Sequence, residues 1–115
     1  DTRESPSINI SKNLLQEGAK LTFFDPKVNE TQILNEFNEF LSEGNIKVKD
    51  TALDAAKGTD AIIVLTEWEE FKYLDWHSIF KIMRKPAWVF DSRICLDQNH
   101  LKNIGFKVWT LGTTD

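Results

Sequence analysis

The sequence predicts an α/β chain, a three-layer α/β/α sandwich built on a mainly parallel sheet of five strands. Three observations carry this. Helical and strand-like stretches alternate five times along 115 residues, which in this length means parallel strands joined by helical crossovers. Two short apolar runs, Ala61-Ile62-Ile63-Val64-Leu65 and Ala87-Trp88-Val89-Phe90, lack the polar alternation of a half-solvated strand. Runs of that kind suit strands covered on both faces. Polar clusters then follow the strands, at the end where open α/β sheets hold their ligands.

Taken in order, Ser5-Pro6 reads as a helix start, with a side-chain cap followed by proline at the first helical position. Ile8, Leu14, Leu15 and Ala19 share one broad face, Ile10 lies at its flank, and Gly18 is the stop. Lys20 to Phe24 is the first strand, ending at Asp25-Pro26. Asn29 caps a second helix whose buried face is Ile33, Leu34, Phe37, Phe40 and Leu41, closed by Gly44-Asn45. Ile46-Lys47-Val48 is a short strand with one polar position, expected nearer a sheet edge. Asp50 or Thr51 opens a short helix through Lys57, and Gly58 closes it. The β-branched run 61–65 is expected at the sheet centre. Glu69 to Leu74 is a helical turn, and Asp75 caps the next helix through Met83. Lys85-Pro86 stops that helix, and the strand 87–90 leads into Asp91-Ser92-Arg93. Asp97 to Asn103 is a last short helix and Gly105 to Leu111 a last strand. There is no internal repeat, low-complexity run or linker, so residues 1–115 read as a single domain.

Composition narrows the function classes. At 41% hydrophobic and 28% charged, the chain has the makeup of a globular domain. A net charge of −4 argues against a general nucleic-acid surface. No apolar run is long enough to span a membrane. The single cysteine, Cys95, cannot form an internal disulfide, as expected of a cytoplasmic chain. An opening of Asp1-Thr2-Arg3-Glu4 without Met, and an end at Gly112-Thr113-Thr114-Asp115, read as a domain cut from a longer enzyme.

Arg93 is the strongest candidate site residue. At a strand's carboxyl end, its planar fork of donors suits phosphate oxygens. The plainer alternative is a pairing with Asp91 or a nearby helix end. Glycine-rich phosphate loops of the dinucleotide or Walker type are absent. Asp25 resembles a ribose-binding acid but, without that fingerprint, reads as a turn residue. His77 and His100 have no ligand spacing, so zinc is not expected. Cys95, between Ile94 and Leu96, reads as a packed thiol and not a nucleophile. Trp68, Phe71, Tyr73 and Trp76 could stack on a base or pack over the sheet end. Glu36, Glu39 and Glu43 form a solvated helix face.

Four motifs occur in order: Asp1-Thr2-Arg3-Glu4-Ser5-Pro6-Ser7, Phe24-Asp25-Pro26-Lys27-Val28, Leu65-Thr66-Glu67-Trp68-Glu69-Glu70-Phe71 and Phe90-Asp91-Ser92-Arg93. Together they resemble the C-terminal, UDP-binding domain of the UDP-glucose/GDP-mannose dehydrogenase family, over the whole chain. The resemblance implies a Rossmann-like sheet. It also implies a share in two-step, NAD-dependent oxidation of a sugar C6 hydroxyl, UDP-glucose becoming UDP-glucuronate. NAD would be bound mainly by an N-terminal domain, and a central helical region would support a dimer-based homo-oligomer. The catalytic cysteine and its Lys and Asn helpers would precede residue 1, so this portion would be inactive alone. By matching motif position, Asp1, Thr2 and Arg93 would bind substrate and Arg3 would reach the NAD side of the cleft. Partners would be UDP-glucose and the chain's own N-terminal and central domains. The Thr-Glu-Trp motif favours the UDP-glucose branch, with Glu67 and Trp68 as branch markers and packing residues. Two positions depart from the family: Ser92 stands where Gly is common, and Ile94 where a second polar residue is frequent. The bare α/β pattern also permits a stand-alone flavodoxin-like binding or regulatory module.

Overall fold

A computed structural model describes residues 6–110, and these fall into two compact units, residues 6–55 and 56–110. In the first, α1 (Pro6–Gln16) begins on proline as its motif requires, and turns out through Gly18. The helix buries Ile8, Ser11 and Leu15, and the Ser11 hydroxyl donates back to the Ser7 carbonyl at 2.8 Å. Strand β1 (Leu21–Phe23) pairs in parallel with β2 (Ile46–Val48). Between them α2 (Glu30–Glu36) starts in a full capping box: Asn29 Oδ1 accepts from Gln32 N–H, and Gln32 Oε1 accepts from Asn29 N–H.

The sequence predicts one continuous helix from its Asn29 cap to a stop at Gly44-Asn45. The structure breaks it at Phe37 and continues as a 3₁₀ segment, Asn38–Glu43. Ile33, Phe37 and Phe40 remain buried, while Leu41 is turned outward at 41% exposure. A 3₁₀ turn holds three residues and not 3.6, so a face spaced for an α-helix cannot stay buried along both. Ile8, Leu15, Ile33, Phe37 and Phe40 form this unit's core, with Phe23 stacked on Phe37 at 4.9 Å. α3 (Ala52–Ala56) carries the chain into the second unit; Thr51 Oγ1 caps it by accepting from Asp54 N–H.

The second unit holds β3 (Ala61–Val64), β4 (Trp88–Asp91) and β5 (Lys107–Thr110) in a parallel sheet of order β3-β4-β5. A 3₁₀ segment, Glu69–Tyr73, and α4 (Trp76–Ile82) link the first pair, and α5 (Gln98–Ile104) links the second. Asp75 and Asp97 cap α4 and α5 by accepting from Ser78 and His100 N–H. Lys85 Nζ closes the far end of α4, donating to the carbonyls of Met83 (2.8 Å) and Phe80. Phe106 sits edge-on to both Trp76 and Phe80. Gly105, at φ +131°, ends α5; a Cβ there would lie 2.7 Å from the Phe80 ring.

Two expectations are corrected. All five strands lie in parallel ladders, as the alternation requires, but they pair as a two-stranded and a three-stranded sheet and not as one sheet of five. And β3 takes an edge of its sheet, with Ile63 exposed, while β4 is central and its Val89 is fully buried. Apolar composition reports how a strand's faces are covered. It does not report which neighbours its backbone edges find, and that decides the order.

Candidate functional site

The site grows from the carboxyl ends of β3 and β4. Parallel register sets Val64 beside Asp91. Chain leaving β3 (Leu65-Thr66-Glu67) therefore runs next to chain leaving β4 (Ser92-Arg93). Asp91 is fully buried and folds the loop that follows it. Its Oδ2 accepts from the backbone N–H of Cys95 at 2.9 Å and of Leu96 at 2.8 Å, and its Oδ1 accepts from Arg93 N–H at 3.2 Å. Ser92 ties the loop to the neighbouring strand: its hydroxyl and its N–H both donate to the Val64 carbonyl, at 2.6 and 3.3 Å. Ser92 adopts no left-handed backbone. The positive φ of this loop, +54°, falls instead on Ile94.

Arg93 is carried on this mount. Its Nη2 donates to Glu67 Oε1 at 2.7 Å; the side chains are 45% and 62% exposed. The hydrogen bond and charge of Glu67 hold the guanidinium pKa above its ordinary value. So Arg93 does pair with a carboxylate, but with that of Glu67; Asp91 takes the Arg93 backbone N–H instead. Sequence reasoning treated Glu67 as a branch marker and packing residue and missed this contact. The signal was available once β3 and β4 are taken as parallel neighbours, since residues two or three past aligned strand ends lie within side-chain reach.

The other candidates sort by geometry. Burial, and then the Asp91 carboxylate, push the Cys95 thiol up to about 11, so it stays protonated at neutral pH and is a poor nucleophile. Asp25 Oδ1 accepts from Lys27 N–H at 2.8 Å, the turn role expected of it. It borders a cleft of about 360 Å³ at the ends of β1 and β2, with Lys27, Asn29, Lys49 and Asp50. Phe71 and Trp76 are packing residues, Trp76 Nε1 donating to the Phe71 carbonyl at 3.0 Å, whereas Tyr73 is exposed. α4 and α5 bring His77 and His100 to 5.8 Å between ring centres, a proximity that their separation in sequence hides. Among the described residues no group of three or more His, Cys, Asp and Glu side chains could hold a metal ion. No helix there is long and apolar enough to cross a membrane. Asp1, Thr2 and Arg3 lie outside the described residues.

Comparison with known proteins decides the family. Residues 1–98, which include every element through β4 and the Arg93 loop, match the model for the UDP binding domain of the UDP-glucose/GDP-mannose dehydrogenase family. The chain belongs to the UDP-glucose/GDP-mannose dehydrogenase family. It is 44% identical to UDP-glucose 6-dehydrogenase of Caenorhabditis elegans over 99% of its own length, and 44% identical to that of Gallus gallus over 97%. UDP-glucose 6-dehydrogenase 3 of Arabidopsis thaliana is 41% identical over 97%. The chain spans only about a quarter of these relatives, 24–26% of their length. The fold class expected of the family, α/β with parallel strands, is the one observed.

Proposed function

We propose that this chain is the C-terminal, substrate-binding part of an NAD-dependent UDP-glucose 6-dehydrogenase, with Arg93 as a contact to the UDP-sugar. The observation that carries the reading is a guanidinium set on a hydrogen-bonded mount at the carboxyl ends of two parallel strands, inside the matched UDP-binding region. A diphosphate needs fixed positive charge and N–H donors, and a half-exposed Arg supplies both. Asp1 and Thr2 would complete the substrate side by their match to the family motif.

The turn after β1 offers no dinucleotide cradle for NAD. It holds Asp25-Pro26 in place of the glycines that let a pyrophosphate approach the backbone, and Asp25 is engaged with Lys27 N–H. NAD would therefore sit mainly on the chain's own N-terminal domain, with Arg3 at the edge of that site. In this reading the portion contributes binding and closure, while the catalytic cysteine that carries the oxidation to UDP-glucuronate precedes it. The complete protein would be a cytoplasmic homo-oligomer assembled through its central region.

The test is Arg93→Ala in the complete protein. An Arg–phosphate contact contributes about 1–3 kcal/mol, so KM for UDP-glucose is expected to rise about 5–160-fold, with an unaltered urea midpoint. Unchanged kinetics would remove Arg93 from the site. Titrating residues 1–115 by NMR with UDP, UDP-glucose, GDP and NAD reads the base preference directly, the expected shifts being uridine-specific and centred on Arg93.

A further inference from the structure

We infer that Glu67 is a positioning residue for Arg93: it aims the guanidinium at the sugar nucleotide without touching the ligand itself. The inference deepens the reading of Arg93 given above and rests on it. An arginine at a strand end is a long, many-rotamer side chain, and left free it must be immobilised when ligand arrives. Here both ends of that problem are handled by the sheet. The backbone is fixed by Asp91 and by the Ser92–Val64 bonds. The side-chain tip is fixed by Glu67, delivered three residues past Val64 by the strand that pairs with β4. Glu67 engages one guanidinium nitrogen at 2.7 Å, and a guanidinium has five N–H donors, so the contact orients the fork without using it up.

Two effects of Glu67 on an anionic ligand oppose each other. Its negative charge repels phosphate, but between solvent-exposed groups that repulsion is screened by water and salt. Its hold on Arg93 removes the cost of ordering a rotamer-rich side chain, which corresponds to a factor of about 2–12 in affinity. Positioning therefore outweighs repulsion, and Glu67 strengthens binding despite its sign.

The experiment is steady-state kinetics of the complete protein with UDP-glucose, for Glu67→Ala, Glu67→Gln, Arg93→Ala and the Glu67→Ala/Arg93→Ala double variant. Glu67→Ala is expected to raise KM about 2–12-fold with kcat unchanged. Glu67→Gln keeps a side-chain oxygen for Nη2 and loses only the charge, so it is expected to restore KM to near the parent value. The double variant is expected to match Arg93→Ala alone, because Glu67 acts only through Arg93. Glu67 is exposed, and equal urea midpoints across the set exclude a folding defect. An Glu67→Ala KM that is unchanged or lower, a Glu67→Gln variant as impaired as Glu67→Ala, or additive effects in the double variant overturn the positioning role. If Arg93→Ala leaves KM unchanged, the substrate reading fails and this inference falls with it; if Arg93→Ala raises KM while Glu67→Ala is silent, only the positioning role falls.

Discussion

Replacing Asp91 by alanine removes the hub of the loop that carries Arg93. The side chain is fully buried at the end of the central strand, and three backbone N–H groups converge on it. Leaving a buried donor without an acceptor costs about 1–3 kcal/mol. The Cys95 and Leu96 bonds, at 2.9 and 2.8 Å, bear most of that, and the longer Arg93 bond at 3.2 Å bears less. Those residues are partly accessible, so water recovers a share, and the alanine variant no longer buries a carboxylate. Asp91→Ala is therefore expected to cost about 2–4 kcal/mol. The conservative Asp91→Asn keeps one acceptor oxygen but turns an amide NH₂ toward N–H donors, and is expected to fall between the two. Urea unfolding followed by tryptophan fluorescence is the assay. All four tryptophans, at 68, 76, 88 and 109, lie in the unit being perturbed. With a urea slope of about 1–3 kcal/mol per molar, the loss shifts the midpoint by roughly a molar or more. An alanine variant that loses less than about 1 kcal/mol, or an asparagine variant equal to the parent, would refute the idea that acceptor geometry at Asp91 holds the loop.

Two more outcomes follow from the same loop. The Cys95 thiol, raised from 9.0 to about 11, keeps its proton in the folded state after the unfolded chain has lost its own; stability is thus expected to fall as pH rises from 9 to 11, and thiol labelling of the folded protein to stay slow at pH 8. Ile94 sits at φ +54° and is 57% exposed, so Ile94→Asn gives up little burial and relieves a backbone cost of about 1–2 kcal/mol; a higher urea midpoint is expected, and a lower one would mean that Ile94 packs more than its exposure implies.

Local chemistry was the legible part of this sequence. Asn29 and Asp75 cap the helices their positions foretell, and Asp97, read as the first residue of its helix, is the cap one residue before it, because a cap depends on three or four consecutive residues. The strands fall where the apolar runs do. What failed lacks a local marker or depends on groups far apart in the chain. The outward turn of Leu41 follows from a switch of helix type at Phe37, where no proline or glycine marks the change. The edge position of β3 depends on partners that apolar content does not encode. Glu67 and Arg93, 26 residues apart, meet only because β3 and β4 are in register. His77 and His100 meet because α4 and α5 lie side by side. Asp91 was legible as a polar residue at a strand end, but nothing in its neighbours announced that it faces inward.

Asp91 and Arg93 are two residues apart and divide the labour of the site. Asp91 is wholly buried, and it accepts from three backbone N–H groups and the Cys95 thiol of its own loop, so its loss is read as stability. Arg93 is half exposed, and an exposed ion pair such as its contact with Glu67 contributes roughly 0–1 kcal/mol to folding, so its loss is nearly invisible to denaturant. The same rigidity explains how a β-branched residue persists in the left-handed region at Ile94: such strain survives only where the surroundings over-determine the backbone, and here the carboxylate of Asp91 and the carbonyl of Val64 do so from two directions. A loop held this tightly cannot serve as a mobile lid. The reach of Arg93 is therefore set by its side chain and by Glu67, and not by movement of the main chain.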